Sequence, residues 1–317
     1  MGSFFVTGCA GFIGSHLCEA LLARGDRVVG LDAFTDYYER DRKERNLAGV
    51  RGEHGFSLTE ADLVDADLDG LLKGVEEIDG VFHLAAQAGV RGSWGDTFAR
   101  YTSDNVLATQ RVFEAASRRG LRVVWASSSS VYGDAERYPT PEDAPRRPIS
   151  PYGVTKLTCE HLAASYADVH ALDCVTLRYF TVYGPRQRPD MAFARVVEAL
   201  ADAGEFTMLG TGRQTRDVTY VSDAVSATLL AMEHGRSGST YNVGGGSEGS
   251  LIDAIRLAER LSGRSLRLTE RPSAAGDVRR TGADTSAARR DLGWEPATGI
   301  DAGLAAHLCW GGIPVSA

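Results

Sequence analysis

The chain has 317 residues, of which 43% are hydrophobic and 24% charged, and its formal net charge is −8 at pH 7. These values are typical of a globular protein with a large core, and the lack of a basic run argues against a nucleic-acid-binding protein. No apolar stretch approaches the ~20 residues of a membrane span, and the first predicted strand begins too near Met1 for a signal peptide. Five scattered cysteines favour reduced thiols over disulfides or a metal site. We therefore expect a cytoplasmic protein that binds no metal, membrane or nucleic acid.

The first 180 residues alternate between short apolar strands and helical patterns. Two of the helical patterns, 105–119 and 151–166, are amphipathic. Strands that alternate with helices form a parallel, doubly wound sheet covered on both faces, so the pattern predicts an α/β Rossmann fold. The predicted strands are 4–7, 27–31, 80–84, 122–127 and 173–178.

The remainder of the chain is less regular and richer in Gly, Arg and Pro. No repeat or low-complexity linker separates it from the first part. We predict a Rossmann domain over 1–180 and a smaller, interleaved C-terminal α/β substrate domain over 181–317, with segments that return to the Rossmann domain. The elements predicted after residue 180 are a loop at 184–191, loops and short strands at 207–221 and 235–249, and a helix at 251–261.

Three glycines follow the first predicted strand at the spacing G-x-x-G-x-x-G. Gly8, Gly11 and Gly14 stand between an apolar strand and a helical pattern. One glycine permits a sharp turn, another lets the backbone approach a pyrophosphate, and the third lets the helix pack on the sheet. This context predicts a dinucleotide site that includes Phe12 and Ile13.

The second predicted strand is followed by Asp32, 18 residues after Gly14. A carboxylate at this position accepts hydrogen bonds from the ribose hydroxyls of adenosine and repels a 2′-phosphate. Residues 33–35 include no arginine that could bind such a phosphate. NAD is therefore favoured over NADP, and a solvated carboxylate at a strand end is the alternative interpretation.

Three further segments lie at the carboxyl ends of predicted strands, where a doubly wound sheet binds its ligands. Segment 83–91 has small residues that would let a cofactor pass close to the backbone. Segment 126–133 contains a row of hydroxyls, and segment 152–156 opens a helix. The candidate cofactor-binding residues of the first segment are Leu84, Ala85 and Ala86.

Tyr152 and Lys156 are four residues apart, so they share one face of the predicted helix. A free phenol has a pKa near ~10. A neighbouring ammonium and the positive nicotinamide of NAD⁺ would favour the phenolate and lower that pKa. Tyr152 could then take a proton from a substrate hydroxyl, with a serine such as Ser128 at the end of the preceding strand as a relay. A pair on a surface helix is the alternative interpretation.

Taken together, T-G-x-x-G-F-I-G, H-L-A-A, S-S-S-S-V-Y-G and Y-G-x-x-K resemble the extended short-chain dehydrogenase/reductase family of nucleotide-sugar epimerases, dehydratases and decarboxylases. The resemblance implies a bound NAD that is reduced and reoxidised within one turnover, and a nucleoside diphosphate sugar as substrate. It places Asp62 and Leu63 in the adenine pocket and gives Asn105 an architectural role. It also implies a homodimer through helices 105–119 and 151–166.

Within this family, the serine row separates different chemistries. Dehydratases carry T-D-E-V-Y-G and UDP-glucuronate decarboxylases carry T-S-E-V-Y-G, whereas this chain has Ser128, Ser129 and Ser130 before Val-Tyr-Gly. Ser130 thus replaces the glutamate, and elimination loses its acid–base group. Epimerisation needs only a hydride removed and returned, so we predict an epimerase.

Two segments, H-L-A-A-Q-A-G-V-R and Y-F-T-V-Y-G-P-R-Q-R-P-D-M-A, are similar to UDP-glucuronate 4-epimerases. The first contains Gln87 and Arg91, which we take as candidate substrate-binding residues. The UDP-glucose enzymes commonly have Asn where this chain has Thr181. Hydroxyls of Ser129, Ser130 and Thr181 could bind the sugar carboxylate and oppose its loss as CO₂.

Other members of the family are alternatives to a UDP-glucuronate 4-epimerase. A UDP-glucose or UDP-N-acetylglucosamine 4-epimerase is the main one, because it shares the chemistry and differs only in the pocket. A UDP-glucuronate decarboxylase is less favoured because of Ser130. A non-catalytic NAD-binding protein is also less favoured, since Tyr152 and Lys156 are both present.

Rotation of the keto sugar requires an anchored UDP, and arginine binds a pyrophosphate through its bidentate fork. By position in the family motifs, Arg195 and Arg216 are the pyrophosphate candidates. Arg188 is placed nearer the sugar.

Assignments at the uridine end depend on a less regular motif. Asp277 and Arg271 are the candidates, although stretch 271–277 departs from the usual R-x-G-D-like pattern. Arg186 could equally be a solvated surface residue. His83 follows a buried strand near the cofactor backbone, and we expect it to have a packing role.

Overall fold

The computed structural model describes residues 1–73, 78–202, 204–272 and 276–315. The α/β prediction is confirmed, because seven strands form one parallel sheet in the order β10-β6-β5-β4-β1-β2-β3. Together with the strands of two small sheets, the strands of the described residues are β1 (Ser3–Thr7), β2 (Arg27–Asp32), β3 (Phe56–Glu60), β4 (Gly80–His83), β5 (Arg122–Ser128), β6 (Cys174–Tyr179), β7 (Thr181–Tyr183), β8 (Glu205–Leu209), β9 (Thr215–Tyr220), β10 (Thr240–Val243), β11 (Glu248–Ser250) and β12 (Arg267–Arg271).

Helices cover both faces of this sheet. The α-helices of the described residues, including those outside this sheet, are α1 (Phe12–Ala23), α2 (Arg40–Asn46), α3 (Leu68–Lys73), α4 (Phe98–Tyr101), α5 (Ala108–Arg119), α6 (Pro151–His170), α7 (Ala192–Ala201), α8 (Val221–His234), α9 (Leu251–Ser262), α10 (Ser286–Leu292) and α11 (Ile300–Trp310). Adjacent residues of a strand point to opposite faces. Val6 therefore joins the core that contains residues of α1, α8 and α10, while Phe5 joins the core that contains residues of α3, α5 and α6. Burial on both faces explains why β1 is apolar without alternation.

Two small sheets complete the fold. Strand β9 lies between β7, which is parallel to it, and β11, which is antiparallel, and β8 pairs with β12. Residues of α7, α9 and α11 form a third core with β8 and β9, including Phe193, Ile255 and Leu304. The division of the chain at residue 180 stays a prediction. Strand β10, well after that point, is the edge strand of the seven-stranded sheet beside β6.

The predicted elements are present with ends that differ by a few residues, and one predicted helix has a different geometry. The expected helix 105–119 begins within a π-helical segment, Thr102–Leu107, and becomes α-helical only at α5. Such π-helical turns often occur at functional sites. Among the described residues, no helix is long and apolar enough to cross a membrane.

Candidate active site

The glycine turn connects β1 to α1 at the carboxyl edge of the sheet. Gly8 has φ +72°, a conformation that favours glycine, and a Cβ on Gly14 would clash with the Gly8 carbonyl oxygen. Gly11 is the N-cap of α1 and supplies no side-chain acceptor, so the first N–H groups of the helix stay available to an anion. This cradle fits the pyrophosphate of a dinucleotide.

An elongated cleft starts at this turn, and we call its first part the cofactor section. The section extends from β1 and β2 to the loop after β4. It brings together the residues proposed for the dinucleotide, apart from two on α6. Those that line it are Gly8, Gly11, Phe12, Ile13, Gly14, Asp32, Asp62, Leu63, Leu84, Ala85 and Ala86.

Asp32 has a cationic partner that was not predicted from the sequence. Its carboxylate accepts hydrogen bonds from the backbone N–H groups of Ala10 (3.1 Å) and Phe34 (2.8 Å). The ammonium of Lys43, on α2, is also 3.1 Å from a carboxylate oxygen, and both side chains are buried. No local sequence signal indicates this pair, because α2 must fold back over the end of β2 to form it.

The cleft continues into a second part, the sugar section, where the candidate catalytic residues meet. Ser128 is the last residue of β5, and its hydroxyl accepts a hydrogen bond from the Ser130 backbone N–H at 3.1 Å. Ser150 caps α6 by accepting from the Gly153 N–H at 3.1 Å, which fixes Tyr152 in the first turn of that helix. The catalytic candidates that line this section are Ser128, Ser129, Ser130, Tyr152 and Lys156.

Burial has the largest effect on the pKa of Tyr152 in the protein alone. Burial raises the pKa of this phenol, while a hydrogen bond with Ser128 and the charge of Arg188 act in the opposite direction. In the protein alone, desolvation of the phenolate outweighs these favourable contacts. The predicted lowering includes the charge of the nicotinamide of NAD⁺, and it stays a prediction. Arg188, from a different loop, is the arginine whose charge reaches the phenol.

Lys156 is buried below the sugar section, and its ammonium donates to the Ala126 carbonyl oxygen at 2.8 Å. Burial lowers the pKa of Lys156 from 10.5 to about 8. An ammonium has three donor protons, so two remain for a molecule in the cleft. The side chain is thus suited to hold a bound hydroxyl or to supply positive charge beside Tyr152.

Asn105, in the π-helical segment, fixes the loop after β4. Its side chain accepts from the Gln87 backbone N–H at 2.7 Å and donates to the Gln87 carbonyl at 3.1 Å. It also donates to the Thr155 hydroxyl at 3.0 Å. Asn105 therefore ties this loop to α6, which agrees with an architectural role.

Tyr101 holds the same loop from the other side. Its hydroxyl donates to the carbonyls of Ala88 and Gly89 at 2.9 and 2.8 Å. Its ring packs edge-on against that of Tyr152, with centroids 6.2 Å apart. The position of the loop is thus linked to that of the catalytic candidate.

His83 is a buried strand residue whose two ring nitrogens lie 2.7 Å from the Thr7 hydroxyl and 2.9 Å from the Thr109 hydroxyl. Burial and the charge of Lys156 lower the pKa of His83 to about 3. The imidazole is therefore neutral at physiological pH, and its contacts agree with a packing role.

The substrate candidates fall into those that line the cleft and those that do not. Arg91 and Asp277 form an ion pair of 3.0 Å at the boundary between the sugar section and a third part, the nucleotide section. Arg188 lines both the cofactor and the sugar sections. The remaining candidates that line one or more sections are Gln87, Thr181 and Arg216.

Three arginines are not among the described residues that line these sections, namely Arg195, Arg271 and Arg186. The Arg195 guanidinium donates to the Thr207 carbonyl at 3.0 Å and would have to leave it to reach a pyrophosphate, so that role stays a prediction. Arg271 is exposed on β12, and residues 273–275 of its motif lie outside the described residues. Arg186 pairs with a glutamate of α1.

A family model described as "NAD dependent epimerase/dehydratase family" matches residues 4–244 of this chain. The chain belongs to this family. The resemblance inferred from the sequence is thereby confirmed, and with it the assignment to NAD-dependent enzymes. The cradle at the glycine turn and the carboxylate of Asp32 fit the cofactor that the family name states.

Relatives within the family extend over almost the whole chain. A protein of Bacillus subtilis described as an uncharacterized UDP-glucose epimerase, YtcB, is 42% identical over 309 residues and covers 96% of each chain. A UDP-glucuronate 4-epimerase of Thermodesulfobacterium geofontis is 34% identical, with 98% of this chain and 96% of that protein covered. The crystal structure of UDP-glucuronic acid 4-epimerase from Bacillus cereus, in complex with UDP-glucuronic acid and NAD, is 40% identical with a TM-score of 0.94, and the match covers 98% of this chain and 99% of that one.

Proposed function

We propose that the protein interconverts UDP-glucuronate and UDP-galacturonate by epimerisation at C4. The observation that carries the proposal is the composition of the sugar section, where Ser129, Ser130 and Thr181 line the space beside Tyr152. These are uncharged donors, which suit a sugar carboxylate. The likeness to the Bacillus cereus enzyme, crystallised with UDP-glucuronic acid and NAD, supports the same substrate.

In the proposed mechanism, Tyr152 takes the proton of the C4 hydroxyl and later returns it. Ser128 shares the same oxygen, since its own hydroxyl accepts from the Ser130 N–H and keeps its proton free to donate. Bound NAD would accept the hydride from C4 and give it back to the other face. The glycine turn and Asp32 would hold this cofactor, and Lys156 would donate to it from below the sugar section.

The carboxylates near the site are unsuited to an elimination. Glu160, behind the serine row, accepts from the Ser127 hydroxyl at 2.7 Å and forms a buried, bidentate pair with Arg178. Among the described residues that line the sugar section, the acids are Asp190 and Asp277, and each pairs with an arginine. The described part of this section therefore offers no free carboxylic acid for a dehydratase reaction.

The same hydroxyls are expected to protect the intermediate. A 4-keto uronate is a β-keto acid, and it loses CO₂ when the bond to its carboxylate aligns with the ketone π system. Replacing Ser130 and Thr181 together with alanine and valine should reduce the kcat/KM ratio of UDP-glucuronate to UDP-glucose by about 10²- to 10⁴-fold, since two bonds to a charged group are lost and each costs roughly 1.5–3 kcal/mol. A pentose by-product should also increase. Unchanged preference together with an unchanged pentose yield would disprove the role of these hydroxyls.

The proposed reaction is tested by incubating the purified protein and NAD with UDP-glucuronate or UDP-glucose in separate reactions. Proton NMR of the H4 and anomeric signals distinguishes the products. UDP-galacturonate from the uronate alone supports the proposal. UDP-galactose without uronate turnover would support C4 epimerisation but contradict UDP-glucuronate as the substrate. The similarity to YtcB, described as a UDP-glucose epimerase, supports this second candidate. A UDP-pentose would identify a decarboxylase.

Asp32 gives a separate prediction on the cofactor. Asp32→Asn removes the negative charge beside the proposed ribose site and frees the Lys43 ammonium, which is 3.1 Å away. NAD affinity should fall about tenfold, and NADP affinity should rise, because a 2′-phosphate no longer meets a carboxylate and gains a cation. Calorimetric titration with both cofactors measures the change. In Asp32→Asn/Lys43→Met the gain for NADP should be smaller, because only the loss of the repelling carboxylate remains, and equal NADP affinity in both variants would contradict the role of Lys43.

We also propose a homodimer through the helices around the π-helical segment. Their outer surface exposes Phe98 (40%), Leu107 (45%) and Val154 (45%), and a cluster of exposed apolar side chains marks an interaction site. Val154→Arg should give a monomer in size-exclusion chromatography with light scattering, because burying an unpaired guanidinium in an interface is costly. Val169→Arg is the matched control, since Val169 is on the same helix, 75% exposed, and outside the predicted contact region. A dimer in both variants would show that this surface is not the dimer interface.

A cytoplasmic location is part of the same proposal. All five cysteines are free, and four of them are buried. Free thiols persist in reducing compartments, which supports the cytoplasm.

A further inference from the structure

Tyr37, in the segment between β2 and α2, links this segment to the loop after β7. Its hydroxyl donates to the Asp190 carboxylate at 3.1 Å. The same carboxylate accepts two hydrogen bonds from the Arg188 guanidinium, each of 3.0 Å. That guanidinium lies 5.8 Å from the centroid of the Tyr37 ring. The three side chains therefore form one closed unit, which the sequence motifs did not indicate.

The Tyr37 side chain also contacts the loop after β4. Gly89 in that loop has φ +102°, and a Cβ placed there would lie 2.6 Å from the Tyr37 hydroxyl oxygen. Tyr37 thus joins segments that follow three different strands of the structure, β2, β4 and β7. Gly89 is required at this point for its backbone conformation and for the space that it leaves to the phenol.

Tyr37 and Arg188 stand where the cofactor section meets the sugar section, and both line each of them. A dinucleotide that extends from the glycine turn to Tyr152 must occupy both sections. The dinucleotide would therefore pass alongside Tyr37, and the Tyr37 side chain would have to move for the dinucleotide to enter or leave the cleft. The Tyr37–Asp190 hydrogen bond holds the side chain in place.

We propose that Tyr37 and Asp190 are positioning residues that retain the dinucleotide in the cleft. The reason for retention rests on the proposed function, because an epimerisation uses the same cofactor molecule to remove and to return one hydride. Loss of the cofactor between these steps would leave an unfinished sugar. Asp190 also fixes Arg188 at the boundary of the sections, so that the guanidinium stays beside Tyr152.

The test measures cofactor dissociation without any sugar, so its outcome does not depend on the proposed substrate. The protein is loaded with NADH as a fluorescent probe and mixed with excess NAD in a stopped-flow instrument. Tyr37→Phe keeps the ring and removes the donor, and the dissociation rate should rise about tenfold, the effect of losing one hydrogen bond to a carboxylate. Asp190→Ala, which removes the acceptor, should raise it as well. The double variant should add little beyond either single change, because both remove the same contact.

Tyr38→Phe is the matched control. This neighbouring tyrosine also lines the cofactor section and is similarly half-buried, but its hydroxyl makes no hydrogen bond with the described residues. Its removal should leave the dissociation rate unchanged. The proposal is overturned if Tyr37→Phe releases NADH at the wild-type rate, or if Tyr38→Phe accelerates release equally. Should release stay slow in Tyr37→Phe while epimerisation is intact, the retention role fails and the proposed function stands.

Discussion

Replacing Tyr152 with phenylalanine is expected to lower kcat for C4 epimerisation by about 10³-fold, the range of a general acid–base group. The phenol is the hydroxyl that α6 presents to the sugar section, and Ser128 lines the same section. Phenylalanine keeps the ring that packs against Tyr101, so the fold should be unaffected. Initial rates by NMR or a coupled assay, with cofactor content measured on the same sample, give the result.

Tyr101→Phe is the control for this variant. It also removes one phenol, and its ring lies 6.2 Å from that of Tyr152, but its hydroxyl donates to the backbone carbonyls of Ala88 and Gly89. We expect less than a tenfold loss of kcat, because the loop keeps its bonds to Asn105. A similarly small loss in Tyr152→Phe would assign the proton transfer to a group other than the phenol.

The parts of the fold that could be predicted from the sequence depend on short-range patterns. The phosphate-binding turn at Gly8, Gly11 and Gly14 could be predicted because a strand, a turn and a helix follow one another directly along the chain. Buried strands such as β1 and β5 contain continuous apolar runs, Phe-Phe-Val and Val-Val-Trp-Ala, so a sequence pattern indicates them. Strand β3, with the sequence FSLTE, is a short and partly exposed edge strand that lacks such a run. The position of β10 beside β6 depends on a return of the chain from far along the sequence.

The residues of the candidate site also divide into those that a local sequence motif indicates and those that it does not. Asp32, Tyr152 and Lys156 stand at fixed distances from local motifs and could be proposed directly. Two polar contacts in the site could not be predicted in this way. Lys43, on α2, pairs with Asp32, and Tyr37 donates to Asp190, which is 153 positions away in the sequence. These contacts join segments that no motif relates.

The burial that raises the pKa of Tyr152 in the protein alone could not be read from a helical spacing. The sequence places an ammonium four residues from the phenol, and an argument from this spacing includes only the attraction between the two charges. The structure adds the desolvation of both groups, which raises the pKa of Tyr152 and lowers that of Lys156. Each group is thus displaced towards its neutral form in the protein alone. Charge brought by a bound cofactor and substrate must then favour the ionised forms during the reaction.

Lys156→Met is expected to lower kcat/KM by about 100-fold, since it removes the two ammonium protons that remain after the bond to the Ala126 carbonyl. The wild-type protein should also lose activity as the pH rises through about 8, the value to which burial lowers the pKa of Lys156. The variant, which has no ammonium, should lack this decline. A pH–rate profile of kcat/KM from about pH 6 to about pH 10 for both proteins makes the comparison.

The same titration should change stability in the opposite direction. The unfolded chain keeps the Lys156 ammonium up to its ordinary pKa of 10.5, whereas the folded protein loses it near 8. The cost of burying the charge is therefore fully present below about pH 8 and disappears as the pH rises towards 10.5, a gain of roughly 3 kcal/mol in the free energy of unfolding. Urea denaturation of wild type and Lys156→Met should show this gain in the wild type alone. Parallel pH curves for the two proteins would mean that the ammonium is not desolvated, and the alkaline loss of activity would then need another group.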